Sequence, residues 1–259
     1  MVSKTNDYSA DYSSSEMMCV RAAKEMHDGE VVFVGIGLPN VACNLARETH
    51  APRLELIYES GAVGACPERL PISIGDPALV TGSLQIVSQS EIFQNYLQGG
   101  KIKVGFLGGA QIDPYGNLNT TVIGDYNNPK VRLPGSGGAC EIAIHAERVL
   151  IVMRLSPKTF VKKCDFITSP GQVSLGKTRA QWGMPGRGPV RVITDKGVFD
   201  FVNGEMMLTE IYPDVKIEDI QAQCGFPVKS ANTLKITEIP EAHEIELLRV
   251  KLDPKKLYL

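Results

Sequence analysis

Residues 54–79, LELIYESGAVGACPERLPISIGDPAL, put one carboxylate in an unusual place. The apolar run Leu54–Tyr58 has the character of a buried strand. It ends in Glu59, and small residues including Gly61 and Gly64 follow at once. A structural glutamate sits on an exposed helix face or pairs with a base. An unpaired carboxylate at the end of a buried strand is costly, so Glu59 is the first candidate for chemistry. Three further glycine-rich segments accompany it: VGIGLPN with Gly35 and Gly37, GGAQIDPYGN, and GSGGACEIA with Gly137 and Gly138. The successive N–H groups of GSGGA can either stabilise an oxyanion or cap the helix that follows. Asn117 supports the Asp-Pro-Tyr-Gly-Asn turn. Asn119 begins the next strand, and its amide can donate to a carbonyl oxygen.

Other groups offer less. GIGLPN lacks the third glycine of a dinucleotide fingerprint and reads more simply as a tight strand-to-helix turn. No G-x-S-x-G elbow is present. His145 lies in an apolar helix, and the other three histidines fall near helix ends or on polar faces. Cys66 could be a nucleophile, but a cysteine in such a setting is more often a small buried apolar residue. The six cysteines form no C-x-x-C pair and no zinc-like spacing with the histidines, so no metal is expected.

The elements that must position these residues alternate. SSSE offers Ser13 and Glu16 at capping-box spacing for a first helix. VVFVG, LELIYE and KIKVGFLGG read as buried strands. LPNVACNLARETH, with Pro39 in its first turn, and SEIFQNYLQGG read as the helices between them. LNTTVI is a short strand, GACEIAIHAE a helix and RVLIVM another strand. The fold class is α/β, an open, mostly parallel sheet covered by helices. VRVITDKGVFDFVNGEMMLTEIYP adds an antiparallel C-terminal meander, and PEAHEIELLRVKLDP an amphipathic helix. Loops at the carboxyl ends of parallel strands converge on one crevice, where ligands bind. Residues 1–12 read as a loose polar tail and 13–259 as one domain.

Composition narrows the class. Lys plus Arg number 27 against 29 Asp plus Glu, which leaves no footprint for nucleic acid or an anionic membrane. Scattered cysteines and the polar start MVSKTNDYSADYSSSE point to the reducing cytoplasm.

GIGLPN, YESGAVG, GGAQIDPYGNLNTTVIGDY and GSGGACEIA, in that order, resemble the family I coenzyme A transferases over roughly residues 15–255. The ketoacid-type members read Ser-Glu-Asn-Gly where this chain reads Tyr-Glu-Ser-Gly, so the resemblance is to the glutaconate type. It implies Glu59 as a nucleophile that carries CoA as a transient thioester, with no permanently bound cofactor. It implies that Gly137 and Gly138 lie beside the thioester, that Asn119 and, less directly, Asn117 polarise its carbonyl, and that Gly35, Gly37 and Gly61 line the approach of CoA. It also implies a separate alpha subunit, a heteromeric site and a dicarboxylic acyl-CoA such as glutaconyl-CoA. Arg69, Arg132 and Arg154 are neighbourhood candidates for a distal carboxylate. A CoA-ester hydrolase or decarboxylase on the same fold, or a non-catalytic ligand-binding module, are the competing expectations.

Overall fold

The computed structural model describes residues 11–259. The expected tail lies outside the described residues except for Asp11 and Tyr12. The first helix, α1 (Ser14–Ala23), starts where its spacing predicts. The Ser13 hydroxyl accepts from the Glu16 N–H at 3.1 Å, and the Glu16 carboxylate accepts from the Ser13 N–H at 2.7 Å.

The chain continues through β1 (Val31–Phe33), α2 (Leu38–Glu48), β2 (Glu55–Ile57), β3 (Ala62–Val63) and β4 (Gln85–Ile86). α3 (Gln89–Glu91) then widens into π-helical turns over Ile92–Gln98, and β5 (Val104–Leu107) follows. Two short hairpins come next, β6 (Gln111–Ile112) with β7 (Leu118–Asn119), and β8 (Val122–Gly124) with β9 (Pro129–Arg132). α4 (Ala139–His145) leads into β10 (Arg148–Val152). The hairpin of β11 (Val173–Ser174) and β12 (Lys177–Thr178) and the short α5 (Arg179–Trp182) precede β13 (Pro189–Ile193), β14 (Gly197–Val202) and β15 (Glu205–Ile211). α6 (Ile217–Gln221), β16 (Lys229–Ile236) and α7 (Ala242–Glu246), the last prolonged to Leu252, complete the order.

Ten strands form one sheet in the order β16-β15-β14-β13-β10-β5-β1-β2-β3-β4. Its centre, from β13 to β2, is parallel. β13, β14 and β15 make the expected antiparallel meander, and β3 and β4 fold back antiparallel at the opposite edge. The centre is buried on both faces. Val32, Leu56 and Leu150 pack towards α1, α2 and the C-terminal helix, and Phe33, Ile57 and Ile151 towards the turns after α3 and towards α4. Double burial is why these strands read as continuous apolar runs. Two features differ from the sequence reading. LNTTVI divides at Thr120–Thr121 between two hairpins. The polar segment Lys229–Ile236 adds a mostly exposed edge strand parallel to β15, without an alternating apolar signal to announce it. No described helix is long and apolar enough to cross a membrane.

α1 is tied to the meander by charge. The buried Arg21 guanidinium donates to both carboxylate oxygens of Glu210 at 2.9 and 2.8 Å and to Glu25 at 2.5 Å. Glu25 also pairs with Arg191, and Thr237 donates to Glu210 at 3.0 Å. Burial alone would raise the Glu210 carboxyl, but the Arg21 fork and the Thr237 hydroxyl hold it below its ordinary value. Glu30, half-buried and held by Arg148 at 2.6 and 2.8 Å, is lowered in the same way. Carboxylates held low in the folded state stabilise it above their unfolded pKa, and that stability is lost as pH falls through the folded pKa. The melting temperature should therefore drop as pH falls below the ordinary glutamate value of about 4.3, and the Glu210→Gln variant should show a shallower drop. At neutral pH, thermal unfolding of Glu210→Ala should show a loss of about 3–5 kcal/mol, because Arg21 is left buried and undercompensated.

Candidate active site

β2 delivers Glu59 through a hydrogen-bonded turn. Tyr58 is fully buried, and burial pushes its hydroxyl pKa well up, so it stays neutral. The Asn40 amide on α2 donates to that hydroxyl at 2.5 Å. The Val34 N–H donates to the Ile57 carbonyl at 3.1 Å, so the ends of β1 and β2 are held together. The Gly61 N–H then bonds back to the Tyr58 carbonyl at 3.0 Å, and the Tyr58 N–H bonds to the Ala62 carbonyl at 2.9 Å. Gly61 has φ of 112°, and a Cβ there would lie 2.1 Å from the Val87 carbonyl oxygen. Only glycine fits this backbone conformation and this approach. Glu59 is left at the tip, half-buried, beside the exposed Ser60.

The glycine loop before α4 lies across this carboxylate. A Cβ on Gly138 would stand 3.3 Å from Glu59 Oε2 and 2.5 Å from the Phe93 ring. One on Gly137 would stand 4.0 Å from Oε1. The loop is held by reciprocal bonds with Thr120: the Gly135 N–H to the Thr120 carbonyl at 2.8 Å, and the Thr120 hydroxyl to the Gly135 carbonyl at 2.7 Å. Among the described residues, the N–H groups of Gly137 and Gly138 take no partner. The third group at the carboxylate is Gln89, whose side-chain amide donates to Glu59 Oε1 at 3.1 Å.

The structure thus brings Glu59, Gly61, Gly137 and Gly138 together. Gly35 and Gly37 stand at the adjacent strand end, where Gly37, with φ of 89°, caps α2. The Asn40 amide that holds Tyr58 also reaches the Gly35 carbonyl at 3.5 Å. The two asparagines have other work. Asn117 donates to both oxygens of Asp113, at 3.1 and 2.9 Å, and to the Val173 carbonyl at 2.9 Å, and it accepts from the Gly171 N–H at 2.8 Å. It locks the turn, as its position beside Asp-Pro-Tyr-Gly predicts. Asn119 is fully buried. Both its amide hydrogens are used, on Gln111 at 2.8 Å and on the Val122 carbonyl at 2.6 Å. Its oxygen accepts from the N–H groups of Thr121 and Val122 at 3.0 and 3.2 Å. The carbonyl-polarising donor expected of Asn119 is therefore already committed in this structure. What Asn119 does is fix the Thr120–Val122 corner from which Thr120 holds the glycine loop.

Several other expectations change. Cys66 is exposed, and its sulfur accepts from Arg47 at 2.9 Å, so it is not a buried apolar residue. Arg69 is bound in a fork to Asp76 at 2.7 Å on both oxygens, and Arg154 donates to Ser15. Arg132 lies on β9, three residues before Gly135, and stacks 5.0 Å from the Tyr126 ring. Gln89, Phe93 and Thr120 were not singled out by the sequence reading. Their only local signal is placement: Ser88 caps the helix that carries Gln89 and Phe93, and Thr120 follows Asn119.

Asn119→Ala tests the positioning role. Leaving the half-buried Thr121 N–H and the buried Val122 N–H and carbonyl without partners should cost about 3 kcal/mol of stability, at about 1–3 kcal/mol for each unsatisfied group, while the Gln111 oxygen keeps the Asp165 N–H. Chemical denaturation should show that loss, whereas a pure carbonyl donor would leave the midpoint unchanged.

Comparison with known proteins gives this geometry a context. The family model described as coenzyme A transferase matches residues 15–223. The chain is 51% identical to one subunit of the 3-oxoadipate CoA-transferase of Pseudomonas knackmussii over 240 residues, covering 92% of each. It is 36% identical to one subunit of the glutaconate CoA-transferase of Acidaminococcus fermentans over 98% of this chain and 97% of that one. The crystal structure of glutaconate coenzyme A-transferase from Acidaminococcus fermentans superposes with a TM-score of 0.88 over 96% of this chain and 97% of that chain, at 36% identity.

Proposed function

The chain belongs to the coenzyme A transferase family, and on that premise we propose that it is the beta, glutamate-bearing half of an enzyme that moves CoA between an acyl-CoA and a dicarboxylic acid, 3-oxoadipate. One observation carries the chemistry: the Glu59 carboxylate stands at the tip of its turn with Gly137 and Gly138 of the glycine loop beside it, and the N–H groups of those two glycines take no partner among the described residues.

A carboxylate is a nucleophile in its own right, so Glu59 can attack without a histidine beside it. A Glu59 oxygen adds to the thioester carbonyl, and the tetrahedral oxyanion collapses to a mixed anhydride with release of CoA thiolate. The thiolate then adds to the glutamyl carbonyl and expels the first acid as its carboxylate, leaving a Glu59–CoA thioester. A second acid attacks this thioester, and the same steps run in reverse to release its CoA ester. The Gly137 and Gly138 N–H groups are the donors proposed for the oxyanions; losing one such donor typically costs about 2.7–4 kcal/mol of barrier height. The Glu59–CoA thioester is transient, so CoA is a substrate rather than a resident cofactor. The anhydride requires exclusion of water.

The substrate reading rests on the relatives. Identity to the 3-oxoadipate enzyme, at 51%, exceeds that to the glutaconate enzyme, at 36%, which favours 3-oxoadipate over the glutaconyl-CoA expected from the sequence motifs. Both acids are dicarboxylates. Each of these relatives is named as a single subunit of its enzyme, which supports an alpha subunit as the partner here. Leu84 and Ile86, 77% and 58% exposed on the edge of the sheet beside the Glu59 turn, are apolar surface of the kind a neighbouring chain covers. Six free thiols suit the reducing cytoplasm as the place of work.

The test uses the chain co-purified with its alpha subunit. CoA thioesters of 3-oxoadipate, glutaconate and acetate are offered in turn, hydroxylamine is added, and peptide mass spectrometry looks for a hydroxamate at Glu59. The expected result is an adduct at Glu59, formed most efficiently with the 3-oxoadipyl thioester, and loss of both adduct and transfer in a folded Glu59→Ala complex. Turnover without an adduct, or without need of an acceptor acid, would replace this reading with hydrolysis or decarboxylation.

A further inference from the structure

We propose that Gln89 is a catalytic residue of the Glu59 site, donating from its side-chain amide to the oxyanion that forms on the glutamyl oxygen Oε1. This rests on the transferase reading above and names the donor for the steps in which the glutamyl carbon itself is attacked.

The two oxygens of Glu59 have different surroundings. Oε1 accepts from Gln89 Nε2 at 3.1 Å. Oε2 faces Gly138 and accepts no hydrogen bond among the described residues. The oxygen without a donor has its electron pairs free, so Oε2 is the nucleophile. When it adds to the acyl carbonyl and the C–S bond breaks, the product is an anhydride in which Oε2 bridges the acyl carbon and Cδ, and Oε1 is the glutamyl carbonyl oxygen. Thiolate attack then forms an S–Cδ bond and sends the carbonyl electron pair onto Oε1. Collapse re-forms the Cδ–Oε1 double bond, breaks the Cδ–Oε2 bond and expels the first acid with Oε2 in its carboxylate. Attack by the second acid on the thioester places charge on Oε1 again before the thiolate leaves. Both additions at Cδ thus concentrate charge on the atom that Gln89 already holds.

That bond meets the requirement for catalysis, because it strengthens towards the transition state. In the resting carboxylate one charge is shared by two oxygens; in the tetrahedral intermediate Oε1 carries it alone. A neutral amide also suits the nucleophile better than a cation would, since a fixed positive charge at Glu59 would weaken its attack. The placement of Gln89 is built in. The Val87 N–H bonds to the Gly61 carbonyl at 3.0 Å, which sets the start of α3 beside the turn. Ser88 caps that helix by accepting from the Glu91 N–H at 3.2 Å. The Gln89 side chain is otherwise exposed and makes no other hydrogen bond among the described residues, so it has little structural work to lose.

The experiment compares wild type, Gln89→Ala and Gln89→Glu, each assembled with the alpha subunit, by rapid quench and mass spectrometry of the Glu59–CoA thioester. In Gln89→Ala, thioester formation and kcat should fall about 100-fold, the loss typical of one oxyanion donor, with KM for the acyl-CoA and thermal unfolding unchanged. In Gln89→Glu, a second carboxylate beside Oε1 should move the acid limb of the rate profile to higher pH, which a bystander at the surface would not do. Wild-type rates of thioester formation in Gln89→Ala would overturn the role of Gln89 and leave the transferase reading intact. Absence of any Glu59–CoA thioester in the wild-type complex would overturn both.

Discussion

The site depends on one close approach. Gly61 turns the chain back on Tyr58 and lets the Val87 carbonyl come within 2.1 Å of where a side chain would begin. That contact joins the end of a buried central strand to the start of α3 across a turn of three residues. It sets Glu59 at the tip and brings Gln89 to the same carboxylate. No side chain could stand there, since any Cβ would displace the Val87 backbone and the φ of 112° would be strained as well. Tyr58 and Asn40 secure the turn from beneath through a buried hydrogen bond between neutral groups.

The second wall of the site follows the same economy. Gly138 has an ordinary helical conformation, so backbone freedom does not explain its presence. Space does: the Phe93 ring occupies the volume a side chain would need, and Glu59 Oε2 lies just beyond it. Phe93 in turn packs on Phe33 of the central strand at 5.7 Å between ring centroids. The glycine loop is therefore positioned from the core through aromatic packing on one side and through Asn119 and Thr120 on the other. Its N–H groups are left without internal partners because the bonds that hold the loop are made elsewhere.

Much of this was legible in the residues. The capping box at Ser13 and Glu16, Pro39 at the start of α2 and the doubly buried strands announce themselves by local chemistry and period. The placement of Glu59, though not its role, was legible because a carboxylate ending an apolar strand contradicts its surroundings. What escaped was set by distance in the chain. Asn119 looks like a donor waiting for a ligand until Gln111 and Val122 close on its amide. Gln89, an exposed amide in a polar stretch, gains meaning only from a turn thirty residues earlier. Cys66 reads as apolar filling, but the fold leaves it at the surface beside Arg47. The edge strand β16 is polar because only its backbone is used by the sheet.

The same geometry bears on the need for a partner chain. The proposed anhydride survives only where water is kept out, yet Glu59 is half-buried, Ser60 beside it is exposed, and Gln89 reaches it from the surface. A cleft of about 300 Å³ does open on this chain, but it is lined by Arg47, Cys66, Arg69 and Lys251 and does not include Glu59. The chain therefore supplies the proposed nucleophile, the neutral groups proposed as its donors and the turn that holds them, with the carboxylate only half-buried. Closure from outside the chain fits an enzyme whose substrates must enter and leave twice in each cycle. A wall contributed by a partner can exclude water around the proposed anhydride while leaving the Glu59 turn open on this chain for each substrate to enter.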